Sequence, residues 1–351
     1  MACREERGKP KFIPLSVCAY NVPFQHFISL PSFPLATKPT HSIHAITLVT
    51  SPSAPWLVFA NSLLTDWSIW SYIIPYFLDL PSTTDTSPKL TYNILLHSQR
   101  GHGQSTLPIT EGQERLTTIP LLATDISQLL DQLSIATPVH SVIGVSQGGA
   151  VALAFANLYG EKARSVVVCD TAASTPAGNK EAWEERIRLA CGSSAVDVGE
   201  YARNLGMKKL ASVTVPRWFP SGSSCHPGSS PSEQKHARSA WVNQMVSQTD
   251  VNGFMHGARA LGDYDVLKLE PPEGGRASSL FETRVEKVLL LAGKLDGGGK
   301  VGLGMQGLRT RWKEAKDMTV SYAEIDESGH LPMIDSPLRF SEVVSGFISS
   351  L

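Results

Sequence analysis

Beyond residue 30 the chain alternates short apolar runs with stretches of helical spacing. Seven runs read as strands: 44–50, 56–60, 93–97, 141–145, 165–169, 287–292 and 319–325. Most are continuous in Val, Ile and Leu, the pattern of strands buried on both faces of a parallel sheet. Between them, Leu122, Ile126, Leu129, Leu130 and Leu133 mark one apolar helix stripe. Ser336-Pro337 suits the N-cap and first position of a last helix, which turns Phe340, Val343, Val344, Phe347 and Ile348 inward. Strand–helix alternation predicts an α/β fold: a mostly parallel central sheet, flanked by helices, with right-handed crossovers.

The alternation breaks between about residues 174 and 284. This stretch is helical in pattern, with Ser/Gly/Pro-rich loops at 220–232 and 271–279. A helical insertion in a sheet domain is expected to form a lid. Residues 1–30, rich in Pro and aromatics without a period, read as an extension wrapping the surface. The expected organisation is an N-terminal extension (1–30), a core (31–173 and 285–351) and a helical lid (174–284). A chain of 351 residues can hold one large α/β domain with such an insertion.

Charge removes several functions from consideration. The net charge is −1 and no run of Lys or Arg occurs, so nucleic acid is not an expected partner. No stretch of about 18 apolar residues predicts a membrane span. The opening MACREERGKPK lacks the apolar region of a secretory signal. Cys3, Cys18, Cys169, Cys191 and Cys225 are scattered, with neither metal-ligand spacing nor a disulfide framework. They point to a reducing, cytoplasmic setting. The terminal Ser-Ser-Leu only loosely echoes the peroxisomal Ser-Lys-Leu, and chance explains it better.

The chemistry concentrates at VIGVSQGGA, residues 142–150. A strand stops at Gly-x-Ser-x-Gly, and a helix pattern over 148–159 follows, ended by Gly160. At a tight strand-to-helix turn small neighbours are required, and Gly144 and Gly148 provide them around Ser146. The plain alternative is a turn made of glycines and a serine; the junction favours a nucleophile. Its partners should follow in the order acid, then histidine. His330, in ESGHLPMIDSP beyond the last strand, has that order, whereas His102 precedes the serine and His256 lies in the insertion. Asp296, in VLLLAGKLDGGG, is the expected acid; Asp170, at the end of strand 165–169, competes. Glycines 297–299 lack the spacing and Lys-Ser/Thr ending of a phosphate loop. The expected oxyanion donors are the backbone amides of Gln147 and of Leu63 in NSLLTDW.

From about residue 56 to its end, the chain resembles the α/β-hydrolase fold family and, within it, the 3-oxoadipate enol-lactonases. The likeness rests on NSLLTDWSIW (61–70), RGHGQS (100–105) and DTAAS (170–174), and on PRWFP (216–220) and GFMHGARALGDYD (253–265) in the insertion. It departs at 61–62, where most relatives carry His-Gly, and at Ser98, where the family usually has Asp. Segments 220–232 and 266–285 look like insertions, and the N-terminal extension has no evident counterpart. The resemblance implies a small-molecule lactone or ester substrate, an acyl-enzyme on Ser146, no metal and no cofactor, and a place in the catabolism of aromatic compounds. It makes Arg217 the partner of a substrate carboxylate, against a lid salt bridge. It places Trp70 and Trp218 at the pocket, against plain core packing. Rival readings are another lactonase or esterase, a C–C bond hydrolase, a cofactor-free perhydrolase, and a ligand receptor that kept the pocket. Homo-oligomerisation stays open.

Overall fold

The computed structural model describes residues 24–30, 41–78, 91–108, 117–192, 200–226, 233–269, 278–315 and 319–351. The strands are β1 (Phe24–Leu30), β2 (His41–Leu48), β3 (Trp56–Ala60), β4 (Asn93–His97), β5 (Val139–Val145), β6 (Ala163–Cys169), β7 (Lys268–Leu269), β8 (Ser278–Ser279), β9 (Lys287–Gly293) and β10 (Thr319–Ile325). Eight form one sheet in the order β1-β2-β4-β3-β5-β6-β9-β10, and β7 and β8 pair separately. β2 is antiparallel to both its neighbours, and from β4 to β10 every pairing is parallel. The C-terminal ends of β3, β5, β6, β9 and β10 therefore share one edge, where ligands bind in open α/β sheets.

The helices are α1 (Ile74–Phe77), α2 (Ile119–Gln132), α3 (Gln147–Leu158), α4 (Asn179–Cys191), α5 (Glu200–Trp218), α6 (Glu233–Gln248), α7 (Val251–Gly262), α8 (Lys300–Ala315), α9 (Pro332–Asp335) and α10 (Pro337–Ile348). Burial explains the strand pattern. Every residue of β5 is buried, and every residue of β9 after Lys287. At the sheet edge β10 buries only Val320 and Ile325, which suits its mixed sequence. Helices α4 to α7 lie between β6 and β9 in the chain, as one helical insertion.

The structure differs from the sequence expectation at three places. Phe24–Leu30, placed in a surface extension, forms the edge strand β1, seven residues paired antiparallel to β2. The rest of that extension, residues 1–23, lies outside the described residues, as do loop residues 227–232 and 271–277. Ser336 precedes α10 but makes no side-chain cap; its Oγ instead meets Ser328 Oγ at 3.2 Å. In α10, Phe340, Val344 and Ile348 are buried, while Val343 and Phe347 pack only partly. The third difference, at Trp70, belongs to the site.

One buried ion pair locks the turn after β4. Arg100, 2% exposed, donates to both carboxylate oxygens of Asp125 on α2, Nε to Oδ2 at 2.8 Å and Nη2 to Oδ1 at 2.6 Å. His41 Nε2 approaches the same carboxylate at 3.6 Å. Burial opposes the charge on Asp125, but the charges and hydrogen bonds of Arg100 and His41 together outweigh it and hold the carboxyl below its usual range. Asp125→Ala would remove both Arg100 hydrogen bonds and the countercharge from a buried guanidinium, so we expect a loss of about 3–5 kcal/mol in urea unfolding at pH 7. The folded pKa lies below the unfolded one, so this stabilisation is complete above about pH 4 and fades as pH falls through the folded value. Wild-type unfolding measured from pH 7 to pH 3 should lose stability at the acid end, and Asp125→Ala should lose less.

Candidate active site

β5 runs straight into α3, and Ser146 is the residue between them. Its backbone is at φ 56°, ψ −117°, a region costly for any residue with a side chain. Two bonds hold it there: Ser146 N–H donates to Cys169 O at 2.8 Å, and Ala150 N–H donates to Ser146 O at 3.0 Å. Glycines make the turn feasible. A Cβ on Gly144 would lie 1.9 Å from Gly148 O, and one on Gly148 would lie 2.1 Å from Ala60 O. The Ser146 side chain, half-buried, stands at the N-terminal end of α3, where unpaired amides stabilise negative charge.

Asp296 and His330 emerge at the same sheet edge, after β9 and β10. His330 Nδ1 lies 2.7 Å from Asp296 Oδ2. With Nδ1–H given to the carboxylate, Nε2 is left as the basic nitrogen. His330 N–H donates to Trp218 O at 2.9 Å, and the Trp218 ring stacks on the imidazole at 5.7 Å between centroids. Among the described residues no hydrogen bond joins Ser146 to His330. Gly297, Gly298 and Gly299 all have positive φ and shape the turn that carries Asp296, which accounts for the glycine run.

Asp170 is placed differently from Asp296. Its Oδ1 accepts Gly293 N–H at 2.8 Å, and its Oδ2 is buried without a hydrogen-bond partner among the described residues. Burial, and then the charge of Asp296, push its carboxyl well above the usual range. Both effects favour its neutral form and make it a poorer partner for an imidazolium than Asp296.

The two candidate oxyanion donors lie on neighbouring loops, because β3 and β5 pair in register from Leu57↔Ser141 to Ala60↔Gly144. Among the described residues neither the Leu63 nor the Gln147 backbone N–H is engaged. The next amide, Leu64 N–H, is taken: it donates to His102 Nε2 at 3.1 Å, with Leu64 itself at φ 70°. Burial drives His102 down to about 4, so the ring is neutral and donates through Nδ1 to Arg100 O at 3.1 Å. His102 therefore shapes the donor loop and is not a base. Ser98, where the family usually has Asp, is fully buried and accepts Trp67 N–H at 3.3 Å.

Trp70 does not line a pocket. It is 0% exposed, donates from Nε1 to Asn61 Oδ1 at 2.7 Å, and packs against Phe59 and Phe340. The apolar core took its ring, and the turn took its one polar atom. Arg217, at the end of α5, is exposed, and its neighbour Trp218 reaches His330. Sequence reading overlooked Arg186 on α4, whose guanidinium lies 4.5 Å over the Trp183 ring. Burial, and then Arg217 nearby, lower Arg186 to about 10. Among the described residues no carboxylate pairs with either arginine. Asp335 was also missed. It is 3% exposed, and its two oxygens accept Gly329 N–H and Cys225 N–H, each at 2.8 Å. It thereby ties the His330 loop to the end of the α5 connection. Burial pushes it up to about 6, against the pull of those two amides.

Among the described residues no group of His, Cys, Asp and Glu could hold a metal ion, and no helix is long and apolar enough to cross a membrane.

Comparison with known proteins agrees with this architecture. Residues 55–203 match the family profile described as the α/β hydrolase fold. The 3-oxoadipate enol-lactonase 2 of Acinetobacter baylyi is 28% identical over 290 residues, spanning 83% of this chain and 87% of that protein. The 3-oxoadipate enol-lactonase 1 of the same organism is 27% identical over 302 residues, 85% of this chain and 90% of that protein. The crystal structure of the enol-lactonase from Burkholderia xenovorans LB400 superposes with a TM-score of 0.64 at 23% identity, covering 88% of this chain and 97% of that one. A thermophilic esterase from Thermogutta terrifontis gives 0.67 at 20% identity, covering 93% and 98%. Strand order, profile match and superposition agree: the chain has the α/β-hydrolase fold, and it is similar to 3-oxoadipate enol-lactonases.

Proposed function

We propose that the protein is a serine hydrolase that opens a carboxylated enol-lactone, 3-oxoadipate enol-lactone or a close relative. The observation that carries this reading is the 2.7 Å Asp296–His330 contact at the sheet edge where the strained Ser146 turn also ends. His330 Nε2 takes the Ser146 proton as Oγ attacks the lactone carbonyl, and Asp296 stabilises the imidazolium that forms. The Leu63 and Gln147 amides receive the oxyanion. The ester C–O bond breaks, the leaving enolate takes the proton back from His330, and the enol tautomerises to the ketone while its acyl end stays on Ser146. Water, deprotonated by His330, then attacks the acyl carbonyl and releases the 3-oxo acid. Helices α4 to α7 cap the site in this reading, and Arg217, with Arg186 beside it, meets the substrate carboxylate. Two neighbouring guanidinium groups without a carboxylate partner repel each other, and an anion between them relieves that repulsion.

A fluorophosphonate should label one residue, Ser146, and Ser146→Ala should lose nearly all turnover while staying folded. Label on another residue would remove the serine-hydrolase reading. The two acids should also separate. Asp296→Asn should lower kcat on the order of 10⁴-fold, the loss seen on other triads, and Asp170→Asn far less. The reverse ranking would move the acid to the end of β6.

The substrate is tested at Arg217. A charge-assisted pair contributes about 1.5–3 kcal/mol, so Arg217→Met should lower kcat/KM for a carboxylated enol-lactone by roughly 10- to 150-fold. Turnover of a neutral p-nitrophenyl ester should be nearly unchanged, and Arg217→Lys should rescue only partly. An equal loss on both substrates would leave a general esterase with a structural arginine.

A further inference from the structure

Both candidate oxyanion donors are held by one helix of the insertion. Gly257 O, on α7, accepts Gln147 Nε2 at 2.8 Å. Gln147 Oε1 accepts Gln99 Nε2 at 3.1 Å, and the same Gln99 amide donates to Ser62 O at 3.1 Å. Both ends of this relay are backbone carbonyls, which only accept, so each amide must turn its NH2 outward. The two NH2 protons of Gln99 then serve Ser62 and Gln147, and the direction of the chain is fixed. Both glutamines are buried, at 5% and 1% exposure.

The same helix meets the Leu63 loop directly. A Cβ on Gly257 would lie 2.4 Å from Leu63 Cδ1, so α7 packs on the end of that side chain. Just before α7, Thr249 Oγ1 donates to Leu64 O at 3.1 Å. Gly253 crosses the turn after β4 so closely that a Cβ there would lie 1.9 Å from Gly101 O. The helix is thus seated on the core at three points around the donor loop. Neither the relay nor Gly257 touches the reacting atoms.

We infer that Gln99, the Gln147 side chain and Gly257 of α7 form a positioning device that sets the two oxyanion amides, so that an insertion helix templates the oxyanion hole. The inference rests on the serine-hydrolase reading above. An oxyanion hole works through donors fixed before charge develops, so a loosened relay must weaken the tetrahedral state more than substrate binding. The relay also reaches the hole from outside the sheet, so changes in the insertion alter turnover as well as substrate choice.

The test compares Gln147→Met, Gln99→Leu, their double variant and Gly257→Ala with the wild-type protein. Readouts are kcat and KM for p-nitrophenyl acetate, the inhibition constant of a short aliphatic trifluoromethyl ketone, and thermal unfolding. The ketone adds Ser146 Oγ to its carbonyl carbon and leaves an oxyanion, so its affinity reports the hole. Removing one donor outright costs 10²–10³ in kcat, so we expect roughly 10- to 100-fold for Gln147→Met and less for Gln99→Leu. KM should change little, and the ketone should weaken in parallel with kcat. The double variant should fall no further than Gln147→Met, since both act in one relay. Gly257→Ala leaves the hydrogen-bonding groups in place and moves only the end of the Leu63 side chain, so it should cost less than Gln147→Met. Gln99→Leu decides the matter if Gln147→Met does not fold. Glutamine variants that melt earlier yet keep wild-type kcat and ketone affinity would overturn the inference and leave the hydrolase reading intact. A wild-type protein with neither ester turnover nor fluorophosphonate label would overturn both.

Discussion

Holding Ser146 at positive φ costs on the order of 1–3 kcal/mol, and the neighbouring elements are arranged to meet that cost. β6 supplies the carbonyl for the Ser146 amide, α3 takes its carbonyl, and the close contact of Gly148 with Ala60 O binds the turn to β3. The same contact brings the loop after β3 beside the start of α3. The strand spacing that turns the serine outward also brings the Leu63 loop beside the start of α3, so the candidate nucleophile and the candidate oxyanion donors share one constraint.

Three buried carboxyl groups lie at the candidate site, and their environments differ. Asp296 faces the imidazole. Asp170 has one oxygen on Gly293 N–H, and burial and the charge of Asp296 push its carboxyl well above the usual range, which disfavours a second negative charge there. Asp335 has an amide on each oxygen and sits at about 6. Above that value it is a carboxylate clamp between the His330 loop and Cys225; below it one oxygen carries a proton and can no longer accept in the same way. Like-charged groups crowded in a dry site push each other's titration apart, and here burial and Asp296 both disfavour charge on Asp170.

The sheet could be read from the sequence because burial on both faces imposes continuous apolar runs, as in β5 and β9. Ser146 could be read because its glycines follow from sterics. β1 could not: it lies in a stretch rich in Pro and aromatics without a clear period. Trp70 was misread for a different reason. A tryptophan near a functional loop fits either a pocket wall or the core, and only the Asn61 bond and the packing on Phe59 and Phe340 decide it. Ser336 failed as a cap because its backbone, at φ −135° and ψ 66°, does not point Oγ at the helix amides. Gln99, Arg186 and Asp335 were invisible because each works through a partner distant in the chain.

The helical insertion meets the core in two ways, and the difference bears on how such an enzyme changes substrate. α7 is fixed by the backbone approach of Gly253 to Gly101, which tolerates almost no side-chain change. The end of α5 is fixed by Trp218, whose carbonyl holds His330 N–H and whose ring covers the imidazole, while its neighbour Arg217 stays exposed. A glycine crossing is rigid and carries no chemistry of its own. A side chain beside a held carbonyl is free to vary. Substitutions that redirect substrate choice should therefore be tolerated on α4 and the end of α5 and be damaging on α7, since the first pair present side chains and the last sets the frame that the reaction depends on.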